Sequence, residues 1–212
     1  MVSFLNQATQ EKEMFLKKIN NFFISCILSI VIFFAFSTNT LGNEDINKEI
    51  KNYLHDIKEF SSNFIQSNGN TIEEGKLYLK NNRIKIQYTD PSNITIIVAE
   101  NKAMYFNQDL EEVQYFNPHK SIANIFFQIF FDKHFFNNAN FHEKEKSLLI
   151  NKKIIFENQE YNASIIFEKS PLIIRKIKIQ NAGEITTFSI LDPNFNPLLD
   201  DSFFSMADPL IG

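Results

Sequence analysis

The chain has 212 residues with 24 phenylalanines, no tryptophan, a single cysteine and a net charge of −4. That balance excludes a disulfide-stapled scaffold and argues against a nucleic-acid surface, which needs clustered basic residues. Heavy use of Phe, Ile, Asn and Lys suits a lipid site and a codon bias towards A and T equally well.

Residues 1–42 have the parts of an export signal. Lys17 and Lys18 precede an apolar run from Phe22 to Phe36, and Ser37 to Gly42 forms a small-residue exit. Cleavage is expected after Gly42; Met14 stands just before the basic pair, so residues 1–13 are a candidate mis-assigned start. An uncleaved anchor needs roughly 20 apolar residues, and this run is interrupted by Ser25, Cys26 and Ser29. Cys26 lies mid-run, which is wrong for acylation at a new N-terminus. Removing the signal takes away three basic and two acidic residues, so the charge of −4 becomes −5. Residues 43–212 then form one exported domain.

From Asp45 to Phe60 the stripe Ile46, Ile50, Tyr53, Leu54 and Ile57 predicts an amphipathic helix. The pattern shifts to period two at Phe60 to Gln66, which should enter a first strand. Five short β segments follow: Thr71 to Leu79, Arg83 to Tyr88, Ile94 to Glu100, Lys102 to Asn107 and Glu112 to Phe116. Gaps this short leave no room for crossover helices, so the strands should pair antiparallel. The segment Ile94 to Ala99 is apolar on both faces and needs a covering layer on each side.

Ser121 is positioned to cap a second helix over Ile122 to Asp132, whose stripe of Ile122, Ile125, Phe126, Ile129 and Phe130 is widened by Phe127 and Phe131. It is greasier than a surface helix should be. Lys133 to Lys146 is polar and reads as a loop. Strands return at Leu148 to Phe156, Tyr161 to Glu168, Ile173 to Gln180 and Glu184 to Leu191, before a proline-broken tail that contains Phe203 and Phe204.

Catalytic motifs are missing. No nucleophile elbow, phosphate-binding loop or dinucleotide fingerprint is present. His55, His119, His134 and His142 lack the spacing of a helical metal pair. Neighbouring acids such as Glu73 and Glu74 point to opposite faces of a strand. The reading is a binding protein with no enzymatic activity, cofactor or metal. The surplus apolar surface is either a thick core or a cavity under a helical lid, and composition does not separate the two.

The order of motifs bears on that choice. Phe60-x-x-x-Phe64-x-Gln66, then Glu74-Gly75-Lys76-Leu77-Tyr78-Leu79, then Asn82-Arg83-Ile84-Lys85-Ile86-Gln87-Tyr88-x-x-Pro91 resemble the LolA-type periplasmic carriers of outer-membrane lipoproteins. Ala103 to Val113 resembles that family's next hairpin, and Phe203-Phe204 its C-terminal strand. Asn81-Asn82 stands in place of Pro-Gly, and Ile86 in place of Trp. Lys80 occupies the position of an arginine that latches the lid in many members. Lysine cannot make the forked bonds of arginine, which leaves Arg83 or Lys85 as substitutes beside Lys80.

The resemblance implies an α+β fold: an unclosed antiparallel β-barrel, or half-barrel, with a helical lid enclosing an apolar cavity. It further implies a monomeric carrier that takes acylated lipoproteins from an inner-membrane ABC transporter and delivers them to the outer membrane, with or without a receptor there. A lipid- or peptide-sensing regulatory domain of the same shape is the alternative. Strand alternation nominates Ile84, Ile86, Tyr88, Ile94, Ile96 and Val98 as the sheet side of the acyl site. Ile125, Phe126, Ile129 and Phe130 are nominated from the lid, and Lys80 and Arg83 as its latch.

Overall fold

The computed structural model describes residues 43–211, which form one compact unit; the expected signal segment lies outside the described residues. Helix α1 covers Asn43–Asp56. It stops four residues short of the sequence expectation because Phe60, wholly buried, belongs to the period-two pattern of β1, Glu59–Ser67. The meander continues through β2 (Ile72–Lys80), β3 (Arg83–Asp90), β4 (Ile94–Val98), β5 (Ala103–Asn107) and β6 (Glu112–Phe116). Asn81 and Asn82 both take positive φ, 49° and 54°, the conformation of a two-residue hairpin turn whose twist suits the strands on either side.

Helix α2 covers Ala123–Phe131. Ser121 does not cap it: the N-cap is Ile122, without a side-chain bond, and the Ser121 hydroxyl instead donates to the Pro118 carbonyl, closing a 3-10 turn at Pro118–Lys120. The segment expected to be a loop contains a short strand, β7 (Asn140–Glu143), paired with β8 (Ser147–Phe156). Strands β9 (Gln159–Glu168), β10 (Ile173–Asn181) and β11 (Glu184–Asn194) complete the sheet.

All eleven strands form one antiparallel sheet in the order β6-β5-β4-β3-β2-β1-β11-β10-β9-β8-β7. The first strand pairs with the last, which joins the two meanders, while β6 and β7 remain unpaired with each other. The result is a half-barrel. The chain between its two edge strands carries α2, which packs into the concave cluster through Ile125, Ile129 and Phe130. The buried core lies between the concave face and both helices, with Ile46 and Ile50 from α1 and Ile125, Ile129 and Phe130 from α2 in one cluster with the sheet.

The tail differs from the expected C-terminal strand. It passes from Phe195, packed edge-on to Phe60, to a 3-10 turn at Asp201–Phe204 on the opposite, convex face. Antiparallel register sets Tyr78, Lys85, Ile97, Met104 and Tyr115 in one transverse row across β2 to β6. Phe203 meets the first of these ring to ring at 4.8 Å, and the Tyr115 hydroxyl donates to the Met206 carbonyl. Ile97, Met104 and Phe204 are almost fully buried yet lie outside the concave cluster. The two-faced apolar character of β4 follows: its even positions face the helices and Ile97 faces the tail.

Candidate functional site

On the concave face the register builds parallel rows. Leu79, Ile84, Val98 and Ala103 form one; Leu77, Ile86, Ile96 and Tyr105 form the next; Gly75, Tyr88 and Ile94 continue towards the opposite end. Of the residues nominated from sequence, Ile84, Ile86 and Val98 are core, and Tyr88 and Ile96 are half-buried against it. Ile94 shares their face but is half-buried outside the cluster. From the lid, Ile125, Ile129 and Phe130 are buried in the same cluster and Phe126 packs on its margin.

Four rings that the alternation argument did not combine connect these groups. Tyr88 packs edge-on to Phe64 at 5.2 Å, Phe64 stacks on Phe188 at 4.5 Å, and Phe188 meets Phe126 at 5.0 Å. The ladder runs from β3 through β1 and β11 to the lid. It depends on Gly75, where an added Cβ would lie 2.0 Å from the Gln87 carbonyl oxygen and 2.9 Å from the Phe64 ring. The Gly in the Glu74-Gly75-Lys76 motif was a visible signal for this close approach; Phe188 had none, because its stacking partner Phe64 is 124 positions away.

One polar chain crosses this apolar surface. The Tyr88 hydroxyl donates to Gln66 Oε1 at 2.9 Å, and the Gln66 amide donates to Glu73. Burial, and then the nearby Glu73 charge, push the Tyr88 phenol far above its ordinary range, so it stays neutral and donates. The Ser62 hydroxyl is buried between Phe60 and Phe64 without a protein partner, a small desolvation cost that the closed arrangement tolerates.

The proposed latch residues are engaged elsewhere. Lys80 Nζ pairs with Glu59 at 2.9 Å and Asp201 at 3.4 Å and also donates to the Leu199 carbonyl; Arg83 reaches Asp201 at 3.2 Å and lies over the Phe204 ring. Hydrogen bonding to Glu59 raises the pKa of the Lys80 ammonium. Lys85 donates to the Phe203 carbonyl at 3.0 Å and sits 3.7 Å above the Phe203 ring, and burial lowers its pKa. All three cations hold the tail, and no polar contact among the described residues runs from them to α2.

Where the two helices approach the β2–β3 turn, a cleft of about 340 Å³ opens. Its floor is Leu54, Leu79, Phe130, Phe131 and Phe136, and its rim includes Lys51, Lys58, Lys80 and Lys133. Among the described residues, no helix is long and apolar enough to cross a membrane.

Against proteins of known structure, the fold is similar to an uncharacterized conserved protein from Thermus thermophilus, with a TM-score of 0.50 and 5% identity over 78% of this chain and 94% of that one. It is also similar to a DUF1329 family protein from Desulfovibrio piger (TM-score 0.46, 8% identity, 76% and 96% of the two chains). MucB in complex with MucA gives a TM-score of 0.42 at 10% identity over 76% and 60%. No curated protein matches the sequence. The sequence does match a family model, that of the outer membrane lipoprotein carrier protein LolA, over residues 55–207, a span that contains β1 to β11, α2 and the tail turn. The chain belongs to the LolA family of outer membrane lipoprotein carrier proteins.

Proposed function

We propose that the protein is a periplasmic lipid-binding carrier that shelters the acyl chains of lipoproteins between the concave sheet and α2. The carrying observation is that an unclosed sheet presents a largely apolar concave face to a short helix, which among the described residues is packed on it by apolar side chains. An isolated helix of nine residues is marginal in water, so α2 depends on its packing and belongs to the part of the fold most easily opened. Acyl chains entering beneath it would replace one set of apolar contacts with another. Burying about ten methylenes contributes roughly 8 kcal/mol, equivalent to about micromolar affinity before the ordering costs of binding are subtracted. No covalent step is required, and the protein acts without cofactor or catalysis.

In this reading a monomer receives its cargo from an inner-membrane lipoprotein-releasing transporter and gives it up at the outer membrane. The test is uptake of a triacylated lipoprotein from inner-membrane vesicles by residues 43–212, followed by transfer to outer-membrane vesicles. Uptake with release into the acceptor supports carriage. Binding without transfer points to a lipid-sensing domain of the same fold.

A further inference from the structure

The cleft beside the β2–β3 turn shares Leu79, Phe130 and Phe136 with the concave cluster but differs from it at the rim. Its floor is apolar, but four of its rim residues are lysines in a chain whose net charge is negative. Lys80 is neutralised by Glu59 and Asp201. Lys51 donates to the Asn137 amide oxygen at 2.9 Å, and Lys58 reaches only the His55 carbonyl at 3.4 Å. Among the described residues no ion pair uses Lys51, Lys58 or Lys133.

Part of this charge is met locally. Helices α1 and α2 both end at the cleft, each offering about half a negative charge from its C-terminus, and Asp132 lies on the rim. Three unpaired ammonium groups against these leave about one positive charge uncompensated. Beside that charge lie Leu54, Phe130 and Phe131, within a volume at the lower end of the range for small-ligand sites.

We propose that this cleft binds an amphiphile with a single anionic group directly attached to an alkyl chain, the head held by Lys58, Lys133 and Lys51 and the chain laid on Phe130 and Phe131. Carboxylate and phosphate heads share this chemistry, one derived from free fatty acids and the other from phospholipid breakdown. The inference rests on the carrier reading for its apolar floor, which shares Phe130 with the concave cluster, and adds to it an anionic head group held by the rim.

The experiment is calorimetric titration of residues 43–212, below micellar concentrations, with dodecanoate, dodecyl phosphate, dodecanol and dodecylammonium. The anions are expected to bind at least about tenfold more tightly than the alcohol, with a preference that falls as salt screens the rim; the stronger of the two anions identifies the source. Lys58→Glu combined with Lys133→Glu should remove the preference while the thermal midpoint stays put, both side chains being exposed. If that pair perturbs folding, Lys58→Gln with Lys133→Gln makes the same test. Dodecanol binding as tightly as dodecanoate, or an anion preference that survives the double substitution, overturns the proposal. Lipoprotein uptake is scored separately: uptake by the parent protein tests the carrier reading, and an anion preference retained by the double variant overturns the present proposal whether or not that variant still takes up lipoprotein.

Discussion

Phe126 of α2 meets Phe188 of β11 with ring centroids 5.0 Å apart and planes at 65°. Phe188 in turn stacks on Phe64, so the lid is joined by aromatic contact to the centre of the sheet, where β1 and β11 unite the two meanders. An edge-on pair contributes about 0.5–1.5 kcal/mol beyond its buried area. Phe126→Ala, which removes this pair and also buried area, should raise the exchange rate of the α2 amides by at least about twofold to tenfold, while amides in β1 and β2 keep their protection. Hydrogen exchange resolved by segment checks this; equal acceleration throughout the sheet would show that α2 does not open independently.

Gly75 is the second test of the same surface. A methyl group there collides with the Gln87 carbonyl and the Phe64 ring, and backbone cannot yield as a flexible side chain can. Gly75→Ala should cost about 3 kcal/mol, lowering the thermal midpoint by about 6–12 °C for a domain of this size. Thermal denaturation followed by circular dichroism measures it.

The tail should be separable from the lid. Phe204 is 2% exposed on the convex face, outside the concave cluster. Phe204→Ala should destabilise by about 3 kcal/mol in urea denaturation, yet leave α2 amide exchange in the folded protein and ligand affinity unchanged. Lys85→Ala, which removes the bond to the Phe203 carbonyl and the cation over its ring, should act in the same direction with about 1 kcal/mol.

Tyr88 links the fold to alkaline pH. Its phenol is raised by burial and by Glu73 above the ordinary 10.0. A group that binds its proton more tightly when folded contributes stability that is complete below the unfolded pKa of 10.0 and is lost as pH climbs towards the folded value. Urea midpoints should thus fall from pH 10 upward in the parent protein, and more shallowly in Tyr88→Phe; identical slopes would mean that the phenol is not in this environment.

The meander and its partners were legible because period-two alternation and Asn-rich turns mark antiparallel hairpins locally. The wide apolar stripe of α2 likewise marked it as greasier than a surface helix, and Ile125, Ile129 and Phe130 are buried in the cluster. Other features depend on contacts distant in sequence. The strand β7 has Phe141 as its one apolar residue and is held by pairing with β8, so its polar sequence read as loop. The union of β1 with β11 is not encoded in either strand alone, and the ladder Tyr88, Phe64, Phe188 and Phe126 depends on it. Lys80 and Arg83 stood out as charged groups beside the β2–β3 turn, but their partners in the tail, Leu199 and Asp201, lie more than 110 positions away.

The central claim is that acyl chains enter between α2 and the concave face. The most direct measurement is uptake of a triacylated lipoprotein from inner-membrane vesicles into soluble complex, comparing residues 43–212 with Phe126→Asp, whose half-buried site tolerates the change better than the buried Ile84 or Ile129. The account predicts a soluble complex with the parent protein and at least about a tenfold loss for the variant, on the order of the cost of placing one carboxylate against acyl chains. Equal uptake by a folded Phe126→Asp, or none by the parent protein, would contradict it.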